Sequence, residues 1–343
     1  LVLFLLMINI VMVFRVDNLM DTLYAFKEVS LIFFIVMSFF YFKNIIINNF
    51  IKYLRLIIFL NILNLIVGII TLYIGPEVYA KLIVGHSFYG NSEIGNFRIS
   101  HIGGLFRTPA LLGSSAAYGY FGLFSFFIFR YFKKQTSSLF ALGNVALSFT
   151  RSVYIALLFY FLLVILYKVY KKEVTSKHLV ITCTVIFVML IGGISKLNYL
   201  NSLSGVNSIF SRLNNWSLIL DQTDFNFFNF LFGGFYGFVG LANDTSIEFL
   251  KIFDNSWLFY MYNIGITGVI MTIVYLVSFI KRSKMSIYII LPLAISMFFI
   301  NLTQSQVFLI FFPLVLILYC STKERMNFAS VSMEGMNENE NRP

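Results

Sequence analysis

Residues Asp254-Asn-Ser-Trp-Leu-Phe-Tyr-Met-Tyr-Asn-Ile-Gly-Ile-Thr-Gly268 place a carboxylate and an amide directly before a long apolar run. The run continues to Ile280, where the basic stretch Lys281-Arg-Ser-Lys284 ends it. This length and polarity predict a membrane-spanning helix that begins near Asp254. An ionisable group at a membrane boundary is a candidate functional site. The face of the membrane on which it lies depends on the charges in the rest of the chain.

The composition of the whole chain indicates an integral membrane protein. Of the 343 residues, 59% are hydrophobic and only 12% are charged, which is too little charge for the surface of a soluble domain of this size. We therefore predict an all-α polytopic protein with about ten transmembrane helices and two large extracytoplasmic loops. The predicted spans lie near residues 1–14, 29–42, 56–74, 109–129, 137–150, 152–167, 178–195, 256–280, 285–301 and 304–320.

The basic residues predict the orientation of these spans. With both termini in the cytoplasm, 16 of the 25 Lys and Arg residues lie on the cytoplasmic side, as the positive-inside rule favours. The 16 are Lys43, Lys52, Arg55, Arg130, Lys133, Lys134, Lys168, Lys171, Lys172, Lys177, Lys281, Arg282, Lys284, Lys323, Arg325 and Arg342. The net charge of +10 therefore indicates topology and contact with anionic lipid. We expect no nucleic-acid partner.

We predict one transmembrane domain, residues 1–325, followed by a disordered cytoplasmic tail, residues 326–343, that is rich in Asn and Glu. Leu1 lies within an apolar run and follows no Met or basic leader, so we expect a truncated sequence or a non-standard start rather than a signal peptide. A truncated sequence would lack one or two N-terminal helices. Cys183 lies in a predicted span and Cys320 at a cytoplasmic end, and the three His residues have no ligand spacing. We therefore expect no disulfide, no metal and no cofactor.

Two long segments, about 75–108 and 196–255, are predicted on the outer face. Loops of this length in compact proteins are usually functional or disordered, and the aromatic content here argues against disorder. Their candidate residues are Arg98, Arg107, Arg212, Trp216, Asp254 and Asn255. The stretch Phe225–Phe232 is too short to span a membrane and too apolar to be solvated. We expect it to lie in the outer interface or to pack over a cavity.

Arg151 lies between two apolar runs, with almost no loop to carry it into water. A cation held there, near other polar groups of the outer face, suggests an anionic ligand; the alternative is a snorkelling side chain that reaches lipid phosphate. Arg212 taken alone indicates a solvated loop residue. For Asp254-Asn255 the alternative is a helix N-cap, and for Gly265 and Gly268 it is the close approach of helices.

Four short stretches of the chain, taken in their order along the sequence, form one pattern. They are Arg98-Ile-Ser-His-Ile-Gly-Gly-Leu-Phe-Arg-Thr-Pro109, Leu147-Ser-Phe-Thr-Arg-Ser152, Arg212-Leu-Asn-Asn-Trp216 with Leu231-Phe-Gly-Gly234, and Asp254-Asn255 with Gly265-Ile-Thr-Gly268. In this order they resemble the O-antigen polymerase and ligase superfamily of membrane glycosyltransferases. The last stretch resembles the family pattern of His-Asn, nine residues and Gly-x-x-Gly, with Asp in place of His. Since that His is the base or binding group in ligases, the replacement favours a polysaccharide polymerase.

The resemblance implies glycosyl transfer at the outer face of a bacterial cytoplasmic membrane. The donor would be a polyprenyl-diphosphate-linked glycan and the acceptor a hydroxyl of a second lipid-linked repeat unit, yielding O-antigen, capsule or exopolysaccharide without a metal. The implied roles are a donor clamp (Arg151, Arg212), a general base (Asp254) and substrate binding (Arg98, Arg107, Asn255, Trp216). The expected partners are the lipid-linked oligosaccharides, membrane lipid, a chain-length regulator and a flippase.

Two alternatives remain open from the sequence. One is an O-antigen-ligase-type glycan transferase. The other is a transporter, such as a lipid-linked oligosaccharide flippase, although no repeated half is visible in the chain and its charges concentrate at the outer boundary rather than at mid-membrane.

Overall fold

The computed structural model describes Leu3, Leu6, Met7 and Ile10, and then residues 19–79, 101–102, 105–170, 226–233, 255–302 and 305–321. The predicted span 178–195 and most of 1–14 lie outside the described residues. One minimal hairpin pairs β1 (His101–Ile102) with β2 (Leu105–Phe106). The helices are α1 (Leu19–Tyr41), α2 (Lys43–Asn48), α3 (Phe50–Tyr79), α4 (Ser115–Tyr131), α5 (Gln135–Ser148), α6 (Arg151–Tyr170), α7 (Phe227–Phe232), α8 (Ser256–Arg282), α9 (Ile287–Ser296) and α10 (Gln306–Cys320).

Within the described ranges, three helices are long and apolar enough to cross a membrane. They belong to α3, α6 and α8 and cover Phe50–Gly75, Arg151–Val169 and Ser256–Arg282, close to the predicted spans at 56–74, 152–167 and 256–280. Shorter apolar helices occur at Val29–Tyr41, Lys284–Ser296 and Gln306–Cys320. The described part of the chain is therefore predominantly helical and compatible with a membrane protein.

Helices α4 and α9 are shorter than their apolar runs. At one end of each run, a hydrogen bond with a group outside the regular helix takes the place of further helical structure. The run that starts at 109 becomes helical only at Ser115, since Ser114 accepts the Ala117 N–H at 3.1 Å and caps α4. The run that continues to 301 is helical only to Ser296 in α9. The next carbonyl oxygen, that of Met297, accepts the Ser256 N–H at 2.9 Å. Conversely, α1 begins well before its run, because a helix can continue beyond its apolar part.

The helices pack around aromatic side chains. The central helix α4 is almost entirely buried and contacts α5, α6 and α10. Phe124 of α4 packs against Phe308 and Phe311 of α10, and Phe127 packs against Tyr160 of α6. Further contacts place α9 on α6, and α10 on α1. The abundant Phe residues thus include many that join helices.

Helix α8 is interrupted at Gly265, where the backbone leaves the helical conformation (φ 68°, ψ −176°). The short helix α7 packs against α8, and Gly233, the residue that caps its C-terminal end, also has a positive φ, 74°. A Cβ added to either glycine would overlap backbone atoms of the other segment. Thr267 Oγ1 donates a hydrogen bond to the Leu231 carbonyl oxygen at 2.7 Å. We call this contact between α7 and α8 the Gly233–Gly265 junction.

Two expectations from the sequence concern residues at or beside this junction. Close approach at Gly265 is confirmed, whereas a Cβ on Gly268 would meet the Ile264 side chain of its own helix rather than a neighbouring helix. The apolar stretch expected at an interface, Phe225–Phe232, supplies α7, and its Phe227 is 78% exposed. One face of α7 therefore packs on α8 while another is open.

Most basic residues that the structure describes gather at one end of the helices. Three contacts join the helix ends there: Phe50 stacks on Phe132, the Arg282 guanidinium lies 5.5 Å from the Phe40 ring centroid, and Ser283 Oγ donates to the Tyr319 carbonyl oxygen at 2.7 Å. The basic residues at this end are Lys43, Lys52, Arg55, Arg130, Lys133, Lys134, Lys168, Lys281, Arg282 and Lys284. We call it the basic end; it consists of residues predicted to be cytoplasmic.

Candidate functional site

The start of α6 brings together two of the predicted site residues. Arg107 Nη2 donates a hydrogen bond to Thr150 Oγ1 at 3.1 Å, and the Thr150 hydroxyl donates to the Ser115 carbonyl oxygen at 2.9 Å. Arg151, the next residue, is exposed and begins α6. One threonine, itself 3% exposed, therefore links Arg107 to the backbone that carries Arg151.

Local structure explains why Arg151 lies at this point. Only Phe149 and Thr150 separate α5 from α6, and Phe149 adopts the left-handed conformation (φ 48°, ψ 31°). The Ser148 hydroxyl donates to the Val145 carbonyl oxygen at 2.7 Å and accepts the Thr150 N–H at 3.3 Å. The near absence of a loop, which the sequence predicts, is confirmed.

The segment after Arg107 is held against α3. The Thr108 hydroxyl, which is fully buried, makes a short hydrogen bond with the Thr71 hydroxyl and accepts the Ala110 N–H at 3.1 Å. The Leu111 N–H donates to Asn64 Oδ1 at 3.3 Å. These bonds fix the chain on the C-terminal side of Arg107, so Arg107 and Thr150 meet in a defined arrangement.

The arrangement is suited to an anion. The first turn of a helix presents free N–H groups and a partial positive charge, and α6, at 20 residues, is a full-length helix. The Arg151 side chain makes no hydrogen bond or ion pair with any residue that the structure describes. A guanidinium is permanently charged and binds phosphate oxygens in a bidentate manner. The start of α6 can therefore bind a phosphate or diphosphate group.

A buried polar network lies beneath this site and was not predicted. Asn144 Nδ2 donates to Asn61 Oδ1 at 3.0 Å, Asn61 Nδ2 donates to Ser125 Oγ at 2.7 Å, and the Tyr118 hydroxyl donates to Asn144 Oδ1 at 2.7 Å. The network joins α3, α4 and α5 in the manner of hydrogen bonds between membrane helices. Its signal in the sequence is the presence of Asn61, Asn64 and Asn144 inside apolar runs.

The start of α8 is the second part of the candidate site. Asn255 Oδ1 accepts the N–H groups of Trp257 and Leu258 at 2.9 and 3.1 Å, so the N-cap alternative is confirmed for Asn255. The Ser256 hydroxyl donates to the Ile300 carbonyl oxygen at 3.0 Å and accepts the Leu302 N–H at 2.9 Å. The start of α8 is therefore tied to the chain that follows α9.

Buried contacts connect the two helix starts. The Tyr120 hydroxyl lies beside the hydroxyls of Ser152, in the first turn of α6, and Ser296, the last residue of α9. The neighbouring Met297 carbonyl oxygen accepts the Ser256 N–H. The structure therefore brings Arg107, Arg151 and Asn255 to the same end of the helices, opposite the basic end.

The remaining predicted site residues, Arg98, Arg212, Trp216 and Asp254, lie outside the described residues, so their roles stay predictions. Asn255 keeps its amide oxygen for the helix cap, and only its NH₂ group is free to contact a substrate. Among the residues that the structure describes, no three His, Cys, Asp or Glu side chains come together in a group that could hold a metal ion.

No protein-family model matches this chain, and neither a curated protein nor a solved structure is significantly similar to it.

Proposed function

We propose that the protein is a polysaccharide polymerase of a bacterial cytoplasmic membrane, with about ten spans and both termini in the cytoplasm. The observation that carries the proposal is the meeting of Arg107 and Arg151 at the start of α6, through Thr150. These arginines are separated by more than 40 residues in the sequence, yet both occur in stretches that resemble the glycosyltransferase superfamily. The apolar helices support the membrane location.

The proposed reaction is glycosyl transfer between two lipid-linked glycans. A hydroxyl oxygen of the acceptor attacks the anomeric carbon of the donor, and the bond from that carbon to the polyprenyl diphosphate breaks. Negative charge then develops on the diphosphate, which Arg151, Arg107 and Arg212 stabilise together with the start of α6. Asp254 accepts the proton of the attacking hydroxyl. O-antigen-ligase-type transfer uses the same donor chemistry and differs in its acceptor.

A transporter is the second candidate, and one observation favours it. Membrane transporters often bind their substrates where a helix is interrupted, and α8 is interrupted at Gly265, nine residues after its first residue. The distinguishing outcome is the face of the membrane at which single lipid-linked repeat units accumulate when the protein is lost. Loss of a polymerase leaves single lipid-linked repeat units at the outer face, whereas loss of a flippase leaves them at the inner face.

The anion site is tested by charge-conserving substitutions. Arg151→Lys and Arg107→Lys should abolish most polymer production, because Lys retains the charge but not the planar fork that binds two phosphate oxygens. Polymer and single repeat units are measured by gel in a deletion strain that carries each variant at equal membrane level. Arg55→Lys, an exposed arginine at the basic end, is the matched control and should have no effect. Full production by Arg151→Lys would indicate a snorkelling residue and remove it from the site.

The role of Asp254 is tested separately from helix capping. Since Asn255 caps α8, Asp254→Asn should leave the membrane level unchanged, yet it removes the proton acceptor and should stop chain extension. Asp254→His restores a base that titrates near neutral pH and should recover part of the activity. Wild-type polymer from Asp254→Asn would exclude Asp254 as the base and leave the arginines to carry the proposal.

A further inference from the structure

One face of α3 carries small and polar side chains within a mainly apolar helix. These four residues are Asn61, Asn64, Gly68 and Thr71. Steps of three or four residues place them in one row along the helix. All four are buried, whereas Ile66, Ile69 and Ile70 of the same helix are exposed. We call this row the α3 polar stripe; it faces the interior of the protein.

Two residues of the stripe join α3 to its neighbouring helices. Asn61 donates to Ser125 of α4 and accepts from Asn144 of α5, within the buried polar network. A Cβ added to Gly68 would overlap the Tyr118 hydroxyl of α4. Hydrogen bonds and small residues of this kind hold membrane helices together, so these two residues have a packing role.

The other two residues of the stripe hold the segment between β2 and α4, residues 107–114. Asn64 Oδ1 accepts the Leu111 N–H at 3.3 Å. The Thr71 hydroxyl donates to a carbonyl oxygen of its own helix at 2.9 Å and also makes the short hydrogen bond with the Thr108 hydroxyl. A hydroxyl has one proton to donate. Thr108 is therefore the donor in the short bond, and Thr71 is its acceptor.

The same segment carries Arg107 at its start, and the residue that follows its end is bound to the threonine that Arg107 contacts. Arg107 Nη2 donates to Thr150 Oγ1, and the Thr150 hydroxyl donates to the carbonyl oxygen of Ser115, the first residue of α4. Between these two points, the contacts to α3 come from Thr71 and Asn64. The segment therefore connects the α3 polar stripe to the start of α6.

Loss of the Thr71 hydroxyl would displace Arg107. The fully buried Thr108 hydroxyl would then lack its acceptor. A buried polar group without a partner is unfavourable, so the backbone beside Arg107 would move to satisfy it. Bidentate binding of an anion depends on the position of the guanidinium, and a displacement of about 1 Å can greatly weaken such an interaction.

We propose that Thr71 and Asn64 are positioning residues for the anion site, and that they set the place of Arg107 relative to Arg151. Neither residue contacts the anion, and each acts through the segment that carries Arg107. This proposal rests on the proposed function, in which the anion is the diphosphate of the glycan donor. It extends the site from the helix starts to residues within α3.

Binding of inorganic pyrophosphate to the purified protein in detergent, measured by titration calorimetry, tests the proposal. Thr71→Val preserves the shape of the side chain but removes the hydroxyl. It should raise the dissociation constant by about threefold to tenfold, the factor that one hydrogen bond is worth. Thr71→Ser keeps the hydroxyl and should retain the wild-type affinity. The matched control is Thr272→Val in α8, where the buried hydroxyl donates to its own helix at 2.9 Å; it should also retain that affinity.

Combination with Arg107→Ala separates positioning from a general loss of structure. If Thr71 acts through Arg107, Thr71→Val should weaken pyrophosphate binding no further once the guanidinium is absent. A general loss of packing would weaken binding by the same factor whether or not Arg107 is present. The same factor in both backgrounds would therefore overturn the proposal.

Asn64→Ala tests the second contact and covers the case in which Thr71→Val does not fold. It removes the acceptor of the Leu111 N–H and should also raise the dissociation constant by about threefold to tenfold. The matched control is Asn263→Ala in α8. Asn263 is buried, and its Nδ2 donates to a carbonyl oxygen of its own helix at 2.8 Å, as Asn64 Nδ2 does at 2.9 Å. This control should retain the wild-type affinity.

The outcomes distinguish the positioning proposal from the proposed function. Unchanged affinity in Thr71→Val or in Asn64→Ala, together with weaker binding by Arg107→Ala, would overturn the positioning proposal and leave the anion site in place. Equal affinity in the wild type and Arg107→Ala would mean that Arg107 does not hold the anion. That result would overturn the positioning proposal and contradict the proposed function as well.

Discussion

Gly265→Ala tests the break in α8 by the sign of its effect on stability. The backbone at Gly265 (φ 68°, ψ −176°) lies in a region that other residues adopt at a cost of about 1–3 kcal/mol. The new Cβ would also overlap the Leu231 carbonyl group and the Gly233 nitrogen, and such overpacking costs about 1–3 kcal/mol. We therefore expect a loss of about 2–6 kcal/mol, and a decrease in Tm of about 3–8 °C for a chain of 343 residues. An uninterrupted helix would instead gain about 0.5–1 kcal/mol from Ala.

The assay is thermal unfolding of the purified protein in detergent, with Gly143→Ala as the control. Gly143 lies within α5, and a Cβ there would meet only the flexible Leu65 side chain, at 3.0 Å. Its helix propensity gain of about 1 kcal/mol offsets that contact, so Tm should change by no more than about 1–2 °C. A Gly265→Ala variant that is as stable as the wild type, or more stable, would refute the interrupted geometry of α8.

The remaining predictions concern the cap of α8 and the sidedness of the membrane. Asn255→Ala should lower the free energy of unfolding by about 1–2 kcal/mol, whereas Asn255→Asp, an equally good cap, should preserve it; equal Tm values for the two variants would contradict the capping geometry. In a background without native cysteines, Leu111→Cys should react with an impermeant maleimide in intact cells and Met285→Cys should not. Both native side chains are exposed, at 45% and 44%, so labelling of Met285→Cys would reverse the proposed orientation.

The sequence predicts helices well where a long apolar run decides them. The runs at 56–74, 152–167 and 256–280 correspond to α3, α6 and α8 because a run of that length is stable as a helix with its backbone satisfied internally. Helix ends are less predictable, since they depend on tertiary partners. Nothing in the run 285–301 shows that the Met297 carbonyl oxygen is taken by the Ser256 N–H.

The candidate site is predictable in its residue types but not in its pairing. Each of Arg107 and Arg151 can be identified from the sequence as a candidate site residue, because arginines are rare beside apolar runs. Their link through Thr150 depends on how the segment after Arg107 packs on α3, which no local pattern contains. The break at Gly265 likewise depends on tertiary packing that no local pattern contains. A glycine in an apolar run is compatible with a continuous helix until another segment occupies the space that its missing Cβ leaves.

The two-residue turn between α5 and α6 has a consequence for the timing of the proposed reaction. With Phe149 in a left-handed conformation and Thr150 bonded on both sides, the start of α6 is held in place before any ligand arrives. Because the partial positive charge at the start of α6 is already oriented, no rearrangement would be needed as a leaving group gains negative charge. In the proposed reaction, the same rigidity would prevent the start of α6 from following the diphosphate after the bond breaks. Release of the lipid diphosphate would then depend on diffusion of its lipid in the membrane, rather than on movement of the helix.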